Sequence, residues 1–210
     1  TPCGPNELPP LRDDEVMPRL IDHNDRNDEI AAAAFRVLAR DGVAALSVRR
    51  VADEAGIATA SLRRAFPTQD ELRRFCFERL QQDVATRLLA VTGHGRERAM
   101  QAMRELLPLD EARRTELLVQ LQLSRLALTD DDLQGHAREL HDGVRRVCGA
   151  VIDDLAEAGE LGGDLDSHLE AQRLHALLDG LALHLVWTSS RDAAVEAEQV
   201  LSRHLDSLAG

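Results

Sequence analysis

Apolar side chains recur every three to four residues along most of the chain from residue 26 onward. This spacing places them on one face of an α-helix. Residues 131–158 give the clearest example, and no segment alternates apolar and polar residues as a half-buried β-strand does. The pattern predicts an all-α protein of about nine helices, three short ones and then six mostly longer ones.

Capping signals mark the starts of several of these helices. Thr68 with Glu71, and Ser167 with Glu170, have the spacing of a capping box, in which the first side chain accepts a hydrogen bond from the backbone three residues on. Asp110 is a further N-cap candidate. Long helices are therefore predicted to begin at these three points.

Three segments of different character divide the chain. Residues 1–25 hold five of the seven prolines and are predicted to be a flexible tail. Residues 26–72 carry the short helices and are predicted to form a three-helix head that continues into a fourth helix. Residues 73–210 are predicted to form a six-helix bundle.

Composition narrows the class of protein. Aromatic residues make up 2% of the chain and tyrosine is absent, so the sequence favours helices over sheets. The three cysteines, Cys3, Cys76 and Cys148, are an odd number without metal-ligand spacing, which predicts no disulfide framework, no metal site and no cofactor. No apolar run approaches the roughly 20 residues of a membrane helix, and no signal peptide opens the chain, so a cytoplasmic location is expected.

The net charge of −12 argues at first against nucleic-acid binding. Residues 1–25 carry −4, residues 26–72 are neutral and residues 73–210 carry −8, whereas residues 26–66 alone carry +2. The acidity therefore lies outside one small segment, and net charge does not exclude a DNA-binding module there.

That segment contains the pattern SVRRVADEAGIATASLRRAF over residues 47–66. Two short helices meet at a turn containing Gly56, as in a helix-turn-helix, and Ala52 is small where the second helix crosses the first. Apolar residues hold the two helices together, namely Val51, Ala55, Ile57 and Leu62. The outward face of the second helix then presents Thr59, Ala60, Arg63 and Arg64. The spacing alone fits a plain helical hairpin with a solvated arginine face equally well.

The wider segment, RNDEIAAAAFRVLARDGVAALSVRRVADEAGIATASLRRAFPTQDEL over residues 26–72, resembles the TetR family of bacterial transcriptional regulators. The positions that carry the resemblance are Gly42, Ser47, Val48, Val51, Ala52, Ala55, Gly56, Ile57, Leu62, Phe66, Thr68 and Leu72. The remainder is similar to the variable ligand-binding and dimerisation domain of the subgroup that includes the choline-responsive repressor. The resemblance implies a DNA-binding head, a homodimer and a small-molecule effector.

The residues expected to contact DNA follow from the recognition helix and from this resemblance. They are Arg26, Ser47, Val48, Arg49, Thr59, Ala60, Ser61, Arg63, Arg64, Thr68 and Gln69. Many relatives have tyrosine at the position of Arg63 and lysine at that of Gln69, where the side chains usually hold phosphates. Arg63 can take over the phosphate contact of the tyrosine through its charge, whereas Gln69 can replace the lysine only with neutral hydrogen bonds. Ala58 has no side-chain oxygen, which weakens the cap of the recognition helix.

Ligand and dimer contacts are predicted in the C-terminal bundle. Polar or aromatic residues beside apolar stripes are the ligand candidates, namely Ser124, His141, Cys148, His184 and Trp187, although each also fits a core or interface role. The scarcity of aromatic residues argues against a quaternary ammonium such as choline. An uncharged or weakly cationic apolar effector is expected instead. Apolar stripes of the last two helices predict a four-helix dimer interface through Leu174, Leu178, Leu181, Ala182, Leu185, Leu201 and Leu205.

The sequence thus predicts a ligand-responsive DNA-binding transcriptional regulator, most simply a repressor that a small molecule releases from its operator. One helix-turn-helix reads only a half-site, which predicts a homodimer. A related protein that binds small molecules or partners without DNA is the alternative. An all-helical enzyme is the third possibility, but no Gly-rich phosphate loop, metal spacing or nucleophile–base motif supports it.

Overall fold

A computed structural model describes the backbone of residues 21–188 and 190–209, with side chains from residue 26 onward. Within these residues the chain forms nine α-helices and one short 3₁₀ helix and contains no strand, which confirms the all-α prediction. The helices are α1 (Ile21–Asp41), α2 (Val48–Ala55), α3 (Thr59–Ala65), α4 (Gln69–Leu89), α5 (Gly95–Leu106), α6 (Glu111–Ala127), α7 (Asp131–Glu157), α8 (Ser167–Trp187) and α9 (Arg191–Leu208), and the 3₁₀ helix is Val43–Ala45.

The predicted tail is too long at its C-terminal end. Helix α1 begins at Ile21, so residues 21–25 have helical backbone, while residues 1–20 lie outside the described part of the chain. These first helical residues lack an apolar stripe, which is why periodicity missed them.

Two of the three predicted caps are confirmed. The Thr68 hydroxyl accepts a hydrogen bond from the Glu71 backbone N–H at 3.2 Å, and the Glu71 carboxylate accepts one from the Thr68 N–H at 2.9 Å. At the start of α6, an Asp110 carboxylate oxygen accepts a hydrogen bond from the Arg113 N–H at 2.8 Å. These bonds satisfy backbone donors that a helix leaves unpaired at its first turn.

The third cap lies one residue earlier than predicted. Asp166, not Ser167, is the N-cap of α8, and its carboxylate accepts hydrogen bonds from the N–H groups of His168 and Leu169 at 3.0 and 3.2 Å. An ionised acceptor at the positive helix terminus is stronger than a hydroxyl. Glu170 is buried instead, and its carboxylate pairs with Arg173 at 2.8 Å.

Two hydrophobic cores organise the molecule. The first, here called the head core, joins α1–α3 to the start of α4 and to the facing parts of α6 and α7; its buried side chains include Leu38, Leu62, Phe77, Leu123 and Leu133. The second, here called the bundle core, joins α5, the second half of α7, α8 and α9; its buried side chains include Met103, Ile152, Leu174 and Leu201. The predicted domain boundary at residue 72 therefore falls inside α4 and inside the head core.

Candidate nucleic-acid interface and ligand cleft

The turn between α2 and α3 has the predicted geometry. Gly56 has a φ of +67°, a left-handed conformation that glycine adopts without a side-chain clash, and it ends α2. The Ile57 N–H donates to the Ala52 carbonyl oxygen at 3.0 Å, which closes the turn. Val51, Ala52 and Leu62 are buried at the crossing of the two helices. The sequence segment therefore forms a helix-turn-helix with α3 as the second helix.

The outward face of α3 is the one predicted from the sequence. Ala60, Arg63 and Arg64 are exposed and Thr59 is half-buried. The Arg64 Nε donates a long hydrogen bond of 3.4 Å to the Ala60 carbonyl oxygen. Ala58 occupies the N-cap position, and its methyl group gives α3 no side-chain cap. The helix thus presents two guanidinium groups beside small side chains, which leaves its surface accessible to a DNA groove.

The other cations of the head divide into two groups. Arg36, Arg40 and Arg50 pair with the carboxylates of Glu54 and Asp41, with the Arg36–Glu54 and Arg50–Asp41 contacts at 2.8 and 3.0 Å. Arg40 bridges both acids, at 3.1 Å from Glu54 and 3.0 Å from Asp41. Hydrogen bonds from Arg40 lower the pKa of Asp41, and those from Arg36 lower the pKa of Glu54. This network uses two acids of the head to join α1 to α2.

The second group lies on the α3 side. Arg26 on α1 donates a hydrogen bond to the Ser61 hydroxyl on α3 at 2.7 Å. Arg49 is 3.9 Å from Asp53, and both of these side chains are highly exposed. Arg63 forms no ion pair with any residue that the structure describes. Arg26, Arg49, Arg63 and Arg64 therefore remain as the cations beside the recognition helix.

Four of the residues predicted to contact DNA also have a role inside the head. The hydroxyls of Ser47 and Thr68 cap α2 and α4, and Val48 packs against the head core. The Gln69 side-chain amide donates a hydrogen bond of 2.6 Å to the Leu46 carbonyl oxygen. Gln69 thus attaches the start of α4 to the segment before α2, a long-range contact that the sequence pattern did not reveal.

The structure does not gather the five predicted ligand residues around one cavity. His141 and His184 are exposed, Ser124 is half-buried, and Trp187 is 85% exposed at the end of α8. The His141 ring instead lies against the ring of His175 on α8, with centroids 4.7 Å apart. Cys148 is buried between helices, and burial raises the pKa of its thiol to about 12.

A cleft of about 370 Å³, the outer cleft, opens between α4 and α7. It is lined by Gln81, Val84, Ala85, Leu88, Leu106, Glu139, Leu140, Gly143, Val144, Arg146, Val147 and Ala150. A narrower inner cavity shares Val84, Leu106, Leu140 and Val144 with it and reaches Leu178 and Ala182 on α8. The head core supplies Leu140, whereas Leu178 and Ala182 belong to the bundle core, so the two spaces lie at the junction of the cores.

The inner cavity ends at a network of charges. Two Arg87 nitrogens donate to the two Glu116 carboxylate oxygens at 2.9 and 2.7 Å, and Arg87 Nε lies 3.3 Å from Glu105. Arg113 also contacts Glu105, at 3.1 Å. Burial opposes the charge of Arg87, but the hydrogen bonds to Glu116 outweigh burial and raise its pKa. The network connects α4, α5 and α6 and balances its own charge.

The residues predicted for the dimer interface lie in the chain's own core. All seven are at most 9% exposed, namely Leu174, Leu178, Leu181, Ala182, Leu185, Leu201 and Leu205. The sequence-based choice is corrected accordingly, because a second copy cannot reach side chains that the bundle already buries. The outward apolar positions of the same two helices are Leu169, Ala176, Leu183, Trp187, Val195 and Val200. Helix α8 carries apolar residues on both faces, and periodicity did not tell which face turns inward.

Two further findings concern the described part of the chain. No three metal-binding side chains come together there to hold an ion. None of the helices found there has the length and apolar character that crossing a membrane requires.

A helix-turn-helix head continuous with a helical bundle that holds a cleft defines a DNA-binding regulator. Residues 30–74 match the family model described as bacterial regulatory proteins, tetR family, and residues 95–210 match the model described as BetI-type transcriptional repressor, C-terminal. The chain belongs to the TetR family of bacterial transcriptional regulators. Both matched families are regulators rather than enzymes.

Individual relatives agree with this assignment. The chain is 32% identical over 195 residues to the HTH-type transcriptional regulator PksA of Bacillus subtilis (strain 168), covering 91% of this chain and 94% of the relative. A transcriptional regulator of Rhodococcus sp. Rha1 has a similar structure, with 29% identity, a TM-score of 0.73 and coverage of 87% and 95%. A protein from Saccharomonospora viridis, solved in complex with choline, shares the fold at 23% identity, with a TM-score of 0.76 and coverage of 87% and 96%.

Proposed function

We propose that this protein is a repressor that binds operator DNA as a homodimer and is released by a small molecule. The observation that carries the proposal is the outward face of α3, where Arg63 and Arg64 are exposed while Arg36, Arg40 and Arg50 are paired within the head. Arginine donates two hydrogen bonds to guanine or holds backbone phosphates, and α3 is the helix that enters the major groove. Operator binding places its action in the cytoplasm, where the bacterial chromosome lies.

A dimer follows from the half-site argument and from the surface of α8. Leu169, Ala176 and Leu183 are exposed and follow one another at steps of seven residues, which is about two helical turns. They therefore form one outward stripe along α8. Val195 and Val200 are exposed on α9. These exposed apolar side chains are ones that a second copy could cover. A second copy that packs its α8 and α9 against this stripe would hold two heads at a fixed spacing.

The outer cleft and the inner cavity are the proposed effector site. They lie where the head core meets the bundle core, and α4 runs from Gln69 in the head to Leu88 in the cleft. A ligand that binds more tightly to one arrangement of the cores than to the other shifts the population between them. Movement of α4 or α6 at this junction would change the separation of the two recognition helices in the dimer.

Choline is not the effector proposed here, although the Saccharomonospora viridis protein was solved with it. A quaternary ammonium is held best by aromatic faces. Among the described side chains that line the outer cleft and the inner cavity, none is aromatic. The effector is therefore held by aliphatic surface and a small number of polar groups.

A mobility-shift assay on DNA from upstream of the gene tests the proposal. The expected result is a retarded complex that resists a large excess of unrelated DNA, because specific sites are bound typically about 10³-fold or more tightly than non-specific DNA. Binding should weaken steeply as salt rises, since phosphate contacts release counterions. Equal affinity for the upstream region and for unrelated DNA, or no binding, would instead favour a family member that binds ligands or partners without an operator.

A further inference from the structure

Helix α3 packs on the rest of the head through Leu62 and turns the opposite line of residues outward. Successive residues of an α-helix are rotated by about 100°, so Ala60 and Arg64 each lie about 160° from Leu62 around the helix axis. Leu62 is 1% exposed, whereas Ala60 and Arg64 are exposed. Ala60 and Arg64 therefore form the central line of the outward face. Ser61 and Arg63 lie on its two flanks, about 100° from Leu62 on either side.

A contact along the helix keeps the Arg64 side chain on this central line. The Arg64 Nε donates a hydrogen bond of 3.4 Å to the carbonyl oxygen of Ala60, four residues earlier. The side chain of Ala60 is a single methyl group, so it leaves space beside the helix for the guanidinium. With Nε engaged, the two Nη groups of Arg64 still carry N–H donors. Within the described part of the chain, Arg64 forms no ion pair that would occupy them.

Each flank of α3 carries or contacts a different cation. Arg63 is exposed on one flank. On the other flank, the Ser61 hydroxyl accepts a hydrogen bond of 2.7 Å from Arg26 Nη2 on α1. The major groove admits an α-helix, whose outermost line then faces the base edges while its flanks face the phosphate backbones on either side. The geometry thus separates one arginine directed at the bases from two directed at the backbones.

We infer that Arg64 reads a guanine in each half-site of the operator, while Arg63 and Arg26 hold the phosphate backbones on either side of α3. The inference rests on the proposed function and names a residue that determines its sequence specificity. A guanidinium donates two hydrogen bonds to N7 and O6 of guanine, a pair of acceptors that no other base presents in the major groove. Ala60 has no polar side-chain atom, so Arg64 is the base-reading donor of the central line.

Selection from a randomised duplex library with the full chain identifies the preferred site. The wild type should enrich half-sites with a guanine at one fixed position. Arg64→Ala should lower the ratio of specific to non-specific affinity at least about tenfold, because both half-sites lose a bidentate contact. Arg63→Ala and Arg26→Ala are the matched controls. Each should weaken binding to specific and non-specific DNA by similar factors, since phosphate contacts carry no sequence information.

Replacement of the selected guanine by 7-deazaguanine tests which side chain contacts it. This analogue lacks the N7 acceptor but keeps Watson–Crick pairing. The affinity of the wild type and of Arg63→Ala should fall about tenfold on the modified site, the value of one hydrogen bond from a charged donor. Arg64→Ala should bind the modified and unmodified sites equally. Arg64 is exposed and alanine favours helices, so this variant should fold, which circular dichroism checks.

Equal losses on specific and non-specific DNA in Arg64→Ala, or an effect of 7-deazaguanine that persists in that variant, would overturn the inference. A change of the preferred base in Arg63→Ala or Arg26→Ala would overturn it as well. If the wild type selects a site in which no guanine depends on Arg64, the role of Arg64 is wrong while the regulator remains. If the library yields no preferred site, the proposed function itself fails, and the inference with it.

Discussion

The side-chain amide of Gln122 on α6 donates a hydrogen bond to the backbone carbonyl oxygen of Leu38 on α1, with a nitrogen–oxygen distance of 2.7 Å. The same carbonyl accepts the Gly42 N–H at 3.0 Å. Leu38 is fully buried in the head core, and Gly42 has a φ of +82°. Helix α6 is therefore attached to the point where α1 ends and the chain turns toward the helix-turn-helix.

Gln122→Leu removes the donor while the Leu38 carbonyl keeps its bond to Gly42. The free energy of unfolding should fall by about 1 kcal/mol, the usual net value of one such hydrogen bond. Urea denaturation measures this as a lower midpoint with an unchanged slope. An unaltered midpoint would mean that the α1–α6 contact depends on apolar packing alone.

Leu183→Glu should produce a folded monomer that no longer binds the operator. Leu183 is 43% exposed on the outward face of α8, so a charge there is solvated in the monomer and becomes costly only when a second copy buries it. Sedimentation velocity measures the loss of the dimer, and circular dichroism measures the retained helix content. Leu181→Glu is the matched control.

Leu181 is only 9% exposed, two residues earlier on the same helix. Its replacement by glutamate places an unpaired charge in the bundle core and should destabilise the fold by about 3 kcal/mol. A Leu183→Glu protein that still sediments as a dimer would move the interface away from α8.

Stability should fall as the pH drops through the range in which an ordinary histidine titrates. Burial lowers the pKa of His175 below its usual 6.5, an effect that His141 and Arg145 reinforce and Asp179 and Asp142 oppose. The unfolded chain then binds the proton first, so the contribution of neutral His175 is fully present above the unfolded pKa and is lost below it.

The His175→Gln variant tests this contribution. Its thermal midpoint between pH 7.5 and 5.5 should change less than that of the wild type. The decrease should not vanish, because burial next to Arg173 also lowers the pKa of His204. A variant with the wild-type pH dependence would show that the pKa of His175 is the same in the folded and the unfolded chain.

Cys76 and Cys148 should resist thiol reagents in the native protein. Both side chains are buried, and burial raises each thiol pKa to about 12, so almost no thiolate exists at pH 8. A Cys3→Ser variant, which contains only these two thiols, is mixed with 5,5′-dithiobis-(2-nitrobenzoate). Colour should develop only after denaturant is added. Rapid reaction of the native variant would reveal a local opening of the bundle.

The sequence predicted those features that depend on neighbours close along the chain. The helical period, the turn at Gly56, the small residue at Ala52 and the caps at Thr68 and Asp110 are all local, and the structure confirms them. These positions are informative because glycine conformation, side-chain size and capping oxygens each act within about one helical turn.

Features that depend on contacts between distant segments were not predictable in this way. Periodicity shows that Leu181 and Leu183 lie on different faces of α8, but only the packing of α7 and α9 shows that Leu181 is the inward one. Gln69 is a surface residue by sequence, and its bond to the Leu46 carbonyl joins positions 23 residues apart. The outer cleft requires the relative placement of α4 and α7, which no local signal encodes.

The central claim is that α3 holds DNA through Arg63, and the salt dependence of operator binding tests it most directly. Operator affinity is measured over a series of salt concentrations for the wild type and for the variants Arg63→Ala and Arg138→Ala. Each variant removes one exposed cation from the chain. If Arg63 holds a phosphate in both protomers, its loss should reduce the slope of log K against log salt by about two and weaken binding to all DNA. Arg138→Ala should leave slope and affinity unchanged. An Arg63→Ala protein that behaves like Arg138→Ala would contradict the account.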